Sequence, residues 1–415
     1  EAWLRAMLDA ERALANAGAI AGLVPAHLAG EIADRCRPEL YDIAALCRSG
    51  RASGNPVVPL VHELRAGLGG QAADFVHRGA TSQDVLDSAA CLVARRALRI
   101  VFEQLDLARA GCAELARAHR LTPMAGRTLL QHAVPVSFGL TAAGWLTSLS
   151  AATARLRVCD RALPAQLGGA AGTLAAVGEH GPALLGLFAR ELELAEPVIP
   201  WHTDRVVMAE LGAALAVAAG AVAKIALDVV LLSQTELGEL SEPSAGGSST
   251  MPQKQNPVGS TLAIACSRQV QGHAGVLLGA LAQEHQRAAG AWHAEWDALT
   301  GALAHTGAAA AAMAGVLDGL QVHPDAMRRN LEAAGGVIVA ERVAQLLAPE
   351  VGPARAQQLV GEAARAAAAG GSLRELLPAD PALPATAFDP TGYLGSSALF
   401  VDRALARYAA EDGSG

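Results

Sequence analysis

Apolar residues recur at three- and four-residue spacing through long stretches of the chain, and prolines mark where those stretches end. No proline occurs between Pro59 and Pro123, between Pro135 and Pro164, between Pro200 and Pro243, or between Pro257 and Pro324. Proline breaks helix interiors, so these gaps are where long helices fit. In the first gap Val85, Ala89, Leu92, Val93, Leu98, Val101 and Leu105 fall on one stripe. The same spacing predicts helices over residues 84–120, 137–163, 203–238, 258–286 and 292–320. At 1.5 Å per residue, helices of about 30 residues are about 45 Å long. Alternating strand patterns are rare. Such lengths suit a bundle, and helices rich in alanine and apolar on nearly every side suit burial on more than one face, including between subunits. The segments before 84 and after 322 have shorter helical patterns and more turns. The expected architecture is therefore all-α, with an N-terminal helical domain (1–83), a central bundle of five long helices (84–322) and a C-terminal helical domain (323–415), in a homo-oligomer.

Composition narrows the class. The 415 residues are 52% hydrophobic, 17% charged and 3% aromatic, which excludes global disorder. The net charge of −8 without a basic block argues against nucleic acid or an anionic membrane surface as a partner. No basic-then-apolar leader pattern opens the chain. The most apolar run, 211–223 between Glu210 and Lys224, is shorter than the roughly 20 residues a bilayer span needs. The six cysteines are scattered, with no CxxC pair or Cys/His cluster, so neither a metal site nor a disulfide framework is expected, and a reducing cytoplasm is the simplest location.

The strongest chemical feature is the run Gly246-Gly247-Ser248-Ser249-Thr250-Met251-Pro252-Gln253-Lys254-Gln255-Asn256-Pro257 between two predicted long helices. A Gly/Ser run offers free backbone N–H groups that form an anion nest. Lys254 adds a point charge, and Lys224 is the chain's other lysine. Read alone, the Gly/Ser run is a flexible linker; a lysine in this lysine-poor chain points to anion chemistry.

This run resembles the signature loop of the fumarase/aspartase superfamily, GSSxMPxKxNP, at every fixed position. Gly79-Ala80-Thr81-Ser82-Gln83-Asp84 is similar to the superfamily's first shared region. Gly126-Arg127-Thr128-Leu129-Leu130-Gln131 with Pro135 is similar to its second. The resemblance covers essentially the whole chain. It implies a three-domain helical protomer in a homotetramer, with active sites built from regions of different subunits, and no metal or organic cofactor. Four stretches, 77–84, 166–175, 200–203 and 290–296, together with Tyr393-Leu394-Gly395, resemble the bacterial 3-carboxy-cis,cis-muconate cycloisomerases within it.

The site residues follow from that resemblance. Ser248 would carry the proton, and Lys254 would stabilise the developing anion. Thr81, Ser82, Thr128, Gln131, His202, Arg205, Ser249, Asn256, Arg287 and Asn55 would contact a small tricarboxylate. Each also has an ordinary reading: Thr81 and Ser82 as helix N-caps, Asn55 as a turn, Arg205 and Arg287 as solvated arginines, His202 as a structural histidine. Fumarases and argininosuccinate lyases carry histidine where this chain has Leu129. A basic leaving group benefits from a proton donor, whereas a carboxylate departs without one. Leucine there fits lactone chemistry, unless it merely packs in the core and another histidine acts. Two alternatives stay open: a fumarate-releasing lyase of the adenylosuccinate or argininosuccinate type, and a non-catalytic crystallin-like protein.

Overall fold

The computed structural model describes residues 1–243, 247, 251, 253–368, 370–377 and 383–412. The chain is mostly helical. Five short helices come first: α1 (Ala2–Ile20), α2 (Ala26–Arg35), α3 (Ile43–Ser53), α4 (Val57–Leu68) and α5 (Ala72–Phe75). The 37-residue α6 (Ser82–Ala118) leads into a hairpin of β1 (Pro123–Thr128) and β2 (Gln131–Ser137). Then come α7 (Phe138–Ala162), α8 (Gly181–Glu191), α9 (Val206–Leu232), β3 (Leu240–Ser241), α10 (Val258–Gly279), α11 (Ala291–Asp318) and β4 (Gln321–Val322). Helices α12 (Pro324–Glu332), α13 (Ala340–Val351), α14 (Pro353–Ala368), α15 (Leu373–Leu376) and α16 (Ser397–Asp412) complete the chain. The five long helices fall where the proline gaps predicted them, ending earlier in α9 and α10.

The chain forms two compact units. Unit 1 comprises Glu1–Phe102, Thr153–Ala219 and Cys266–Gly307; unit 2 comprises Glu103–Ala152, Gly220–Ala265 and Ala308–Gly415. The unit boundaries fall inside α6, α7, α9, α10 and α11. In unit 1, α1 packs on α2 and α8. In unit 2, β1 packs on α12, and α13 on α14, around Leu331, Val339, Val343, Leu347 and Val360.

The strands are a departure from the all-α expectation. β1 and β2 are antiparallel, with Thr128 opposite Gln131 and a bulge between Ala125 and Arg127. Gly126 at the bulge is required sterically: a Cβ there would sit 2.5 Å from the Val134 carbonyl oxygen. A second, two-residue ladder pairs β3 with β4.

The apolar run 211–223 also reads differently. Glu210 and Lys224 do not interrupt the helix, and an 18-residue window of α9 has a mean hydropathy of 2.2. By length and composition α9 and α11 could each cross a bilayer, and half of the apolar window of each is buried inside the chain. The long helices also carry exposed apolar side chains: Ile100, Leu107, Val217, Leu227 and Leu262 are each about half or more exposed.

Candidate active site

The first cluster, in unit 1, is organised by Asp84. Thr81 and Asp84 stand at capping-box spacing at the start of α6, and the Asp84 carboxylate accepts the Thr81 N–H at 2.9 Å. The same carboxylate accepts the backbone N–H groups of Gly168 and Gly169, each at 2.9 Å, and lies 2.6 Å from His202 Nε2. Gly169 has φ +69°, and a Cβ on it would approach the Gly79 carbonyl oxygen to 2.9 Å, so only glycine lets the two turns meet. The anion nest of the glycine-rich turn at 168–169 is thus filled from within by a fully buried aspartate.

Thr81 does not spend its hydroxyl on capping. Its Oγ1 accepts from Arg287 Nη1 at 3.0 Å, while Arg287 Nη2 donates to the Ala170 carbonyl at 3.0 Å. Arg287 and Thr81, both expected to contact substrate, are therefore brought together, and Ser82 sits half-buried at the first turn of α6.

Three residues expected to contact substrate are engaged by partners within unit 1. Arg205 is 2% exposed and donates to Asp87 and Glu295 from Nε, Nη1 and Nη2 at 2.6–3.1 Å, with its guanidinium over the Trp201 ring. Burial pulls its pKa down, but the Asp87 and Glu295 carboxylates outweigh this and hold it above the ordinary arginine value. Burial pushes the Glu295 carboxyl up against the opposing pull of Arg205. Arg205 is an interior ion, its guanidinium taken up by two buried carboxylates. His202 is 4% exposed, its Nε2 engaged by Asp84 and its carbonyl by the Gln83 side chain at 2.8 Å. Asn55 accepts the Val57 and Val58 N–H groups at 3.0 and 3.3 Å, the first two of α4.

The second cluster, in unit 2, surrounds a cavity of about 650 Å³ whose lining includes Ser241, Glu242, Lys254, Asn256 and His323. Lys254 is exposed and Asn256 half-buried. Ser248 and Ser249 lie outside the described residues. Sequence reasoning passed over three groups here. The His323 Nε2 lies 2.9 Å from Ser241 Oγ. Glu242 binds the first turn of α10. Glu239, fully buried, accepts both Arg127 terminal nitrogens at 2.9 and 2.7 Å and the Asn330 amide at 2.7 Å. Only the acidic residues just ahead of the signature loop hinted at them.

Thr128 and Gln131 flank the hairpin turn, exposed, and line neither this cavity nor a second one of about 640 Å³ bordered by Arg127, Leu130, His132, Lys224 and Asp228. Between them Leu129 and Leu130 form the turn with φ of +51° and +64° and exposures of 96% and 76%. Leu129 is not a core residue: it projects from the tip.

Comparisons with known proteins agree with this architecture. Residues 1–272 match the family described as Lyase. The chain is 46% identical to the nitrosuccinate lyase of Streptomyces davaonensis, covering 97% of this chain and 90% of that one. It is 44% identical to the 3-carboxy-cis,cis-muconate cycloisomerase of Bradyrhizobium diazoefficiens, covering 97% and 93%. The solved 3-carboxy-cis,cis-muconate lactonizing enzyme of Pseudomonas putida superposes with a TM-score of 0.92 at 38% identity, covering 97% and 93%.

Proposed function

Because the chain belongs to the lyase family of the fumarase/aspartase superfamily, whose named relatives here are cycloisomerases and lyases, we propose that this enzyme is a 3-carboxy-cis,cis-muconate cycloisomerase of protocatechuate catabolism. The reading is carried by the 44% identity to a 3-carboxy-cis,cis-muconate cycloisomerase together with the TM-score of 0.92 to a solved lactonizing enzyme, and Leu129 is compatible with it. The position that holds histidine in fumarases holds an exposed leucine at a hairpin tip, so no proton donor for a leaving group stands there. A reaction whose leaving group is a weak base does not need one.

In the forward direction a substrate carboxylate oxygen bonds to one alkene carbon, and a proton is added to its neighbour from the opposite face, giving 4-carboxymuconolactone. Negative charge develops on the neighbouring carbon and spreads into its carboxylate. Lys254 and Asn256, both lining the 650 Å³ cavity, are the preorganised donors for that charge. Ser248 delivers the proton. Thr81, Ser82 and Arg287 from one subunit, and Thr128, Gln131 and Ser249 from others, bind the substrate's carboxylates. The exposed apolar positions on the long helices support a homotetramer with shared sites. Six free cysteines suit a reducing cytoplasm.

A second reading is favoured by the 46% identity to a nitrosuccinate lyase. Elimination from nitrosuccinate removes the proton beside the carboxylate, breaks the C–N bond and releases nitrite with fumarate. Nitrite is also a weak base, so Leu129 suits this chemistry equally, and Lys254 would stabilise the same kind of anion. It is the fumarate-releasing alternative with a different leaving group.

Two assays separate the readings. Loss of diene ultraviolet absorbance on adding 3-carboxy-cis,cis-muconate supports the first. Nitrite and fumarate released from nitrosuccinate, with the muconate left unchanged, overturns it in favour of the second.

A further inference from the structure

The residues that end β3 carry a device that neither the superfamily resemblance nor the relatives assign. Ser241 pairs with Gln321 across the β3–β4 ladder and meets His323 through its hydroxyl. Two residues before it, Glu239 is held by Arg127 and Asn330. The chain is thus anchored twice immediately before the signature loop. The next residue, Glu242, reaches across to the far end of that loop. Its Oε2 accepts the Gly259 N–H at 2.9 Å and its Oε1 the Ser260 N–H at 2.8 Å. These donors belong to the first turn of α10, where backbone N–H groups have no partner within the helix. Glu242 is 9% exposed. The approach is close: a Cβ on Gly259 would lie 3.3 Å from Glu242 Oε2 and 2.5 Å from Val316 Cγ2.

A helix N-terminus beside an anion-binding cavity is itself an anion site. Here an internal carboxylate occupies it. That has two effects. A substrate carboxylate cannot settle on α10 and must be taken by other cations, of which Lys254 lines the same cavity. And Asn256, two residues before α10 begins, inherits the placement of the helix end, as does Lys254 two residues further back.

We propose that Glu242 is a positioning residue for Lys254 and Asn256, clasping the start of α10 to the anchored end of β3 so that both side chains face the cavity at a fixed spacing. The proposal rests on the reading above that these two groups stabilise the reaction's anion. A misplacement of about 1 Å in such a site lowers the rate by about 100-fold.

The test compares Glu242→Gln and Glu242→Asp with the wild type. Glutamine keeps the shape but presents one acceptor and one donor, so it can hold only one of the two N–H groups. Aspartate keeps the charge but falls short by one methylene. Hydrogen exchange at the Gly259 and Ser260 amides, measured without substrate, reads the clasp directly, and kcat and KM are measured in the assays above. Both variants are first checked for wild-type helicity and oligomeric state. The expected result for Glu242→Gln is exchange at these two amides faster by about tenfold or more and kcat lower by about 10- to 100-fold with KM changed much less. Glu242→Asp falls between. Wild-type exchange with wild-type kcat in Glu242→Gln overturns the proposal, as does faster exchange with unchanged kcat. If neither substrate is turned over by the wild type, the functional reading fails, and exchange alone still decides whether Glu242 is the clasp.

Discussion

Replacing Arg205 separates the role expected from its sequence position from the role its surroundings give it. In Arg205→Met the two carboxylates it joins stay buried, and removing one partner of such a pair costs about 3–5 kcal/mol. Other partners hold the cost toward the lower end. Asp87 still accepts from Trp292 Nε1 at 2.9 Å and Gln83 Nε2 at 3.1 Å, and Glu295 from Gln283 Nε2 at 2.8 Å. Glu295, already pushed up by burial, can take a proton once the guanidinium is gone. For a chain of 415 residues unfolding cooperatively, an unfolding entropy of about 2 cal/mol/K per residue converts this into a melting temperature lower by about 3–6 °C. The deficit should shrink as pH falls and the stranded Glu295 takes up a proton. Arg205→Lys, with one compact charge in place of a planar fork, should lose part of the same stability. Melting followed by circular dichroism at several pH values, with KM measured on each variant, is the assay. Arg205→Met melting within about 1 °C of the wild type would refute the reasoning, because so small a shift corresponds to about 1 kcal/mol. Arg205→Lys melting like the wild type but with a raised KM would return the residue to the substrate.

Further expectations concern other parts of the chain. Lys254→Met should lower kcat by about 100- to 1,000-fold, the scale of losing a preorganised donor, and leave melting unchanged because the side chain is exposed; a normal kcat would remove Lys254 from the chemistry. His77, 2.5 Å from the buried Glu11, is pulled down by burial but raised further by that carboxylate, so its folded pKa stands above the ordinary 6.5. The pair's stabilisation is complete below 6.5 and is lost as pH rises through the raised value. The melting advantage of wild type over His77→Gln should therefore shrink as pH rises above about 6.5 and through the raised value, and a constant difference would exclude the pair as its source. Leu129→Asn with Leu130→Gly gives a turn residues suited to left-handed φ and should stabilise the hairpin by about 1–2 kcal/mol; a lower melting temperature would instead identify the tip as covered by another subunit.

Local rules carried the helices far and the tertiary polar partners hardly at all. The stripe from Val85 to Leu105 and the absence of proline predicted α6 to within two residues at each end. The hairpin escaped because its strands are interrupted by a bulge and Pro135, and its turn uses two leucines where Asn-Gly would have announced it. The partners of Arg205 and His202 escaped for a different reason. Asp87 and Asp84 each lie 118 residues away, and nothing in a single sequence links positions so far apart. Asp84 was visible as part of a motif, but not as the centre on which three segments converge. The signature loop was the reverse case: its identity was plain from residues 246–257, whereas the carboxylate that clasps its far end was not.

The way the chain is divided between the two compact units bears on how it can be made. Each unit is assembled from three separate lengths of polypeptide, and the path passes from one to the other inside five different helices. No single cut therefore yields two independent fragments. During synthesis the first unit lacks its last piece until residue 307 has emerged, and the second lacks its last piece until residue 415. Long-range contacts of this kind are slow to form and leave apolar helix faces uncovered meanwhile. A nascent chain with a helix as apolar as α9 would thus be a client for chaperones through most of its translation.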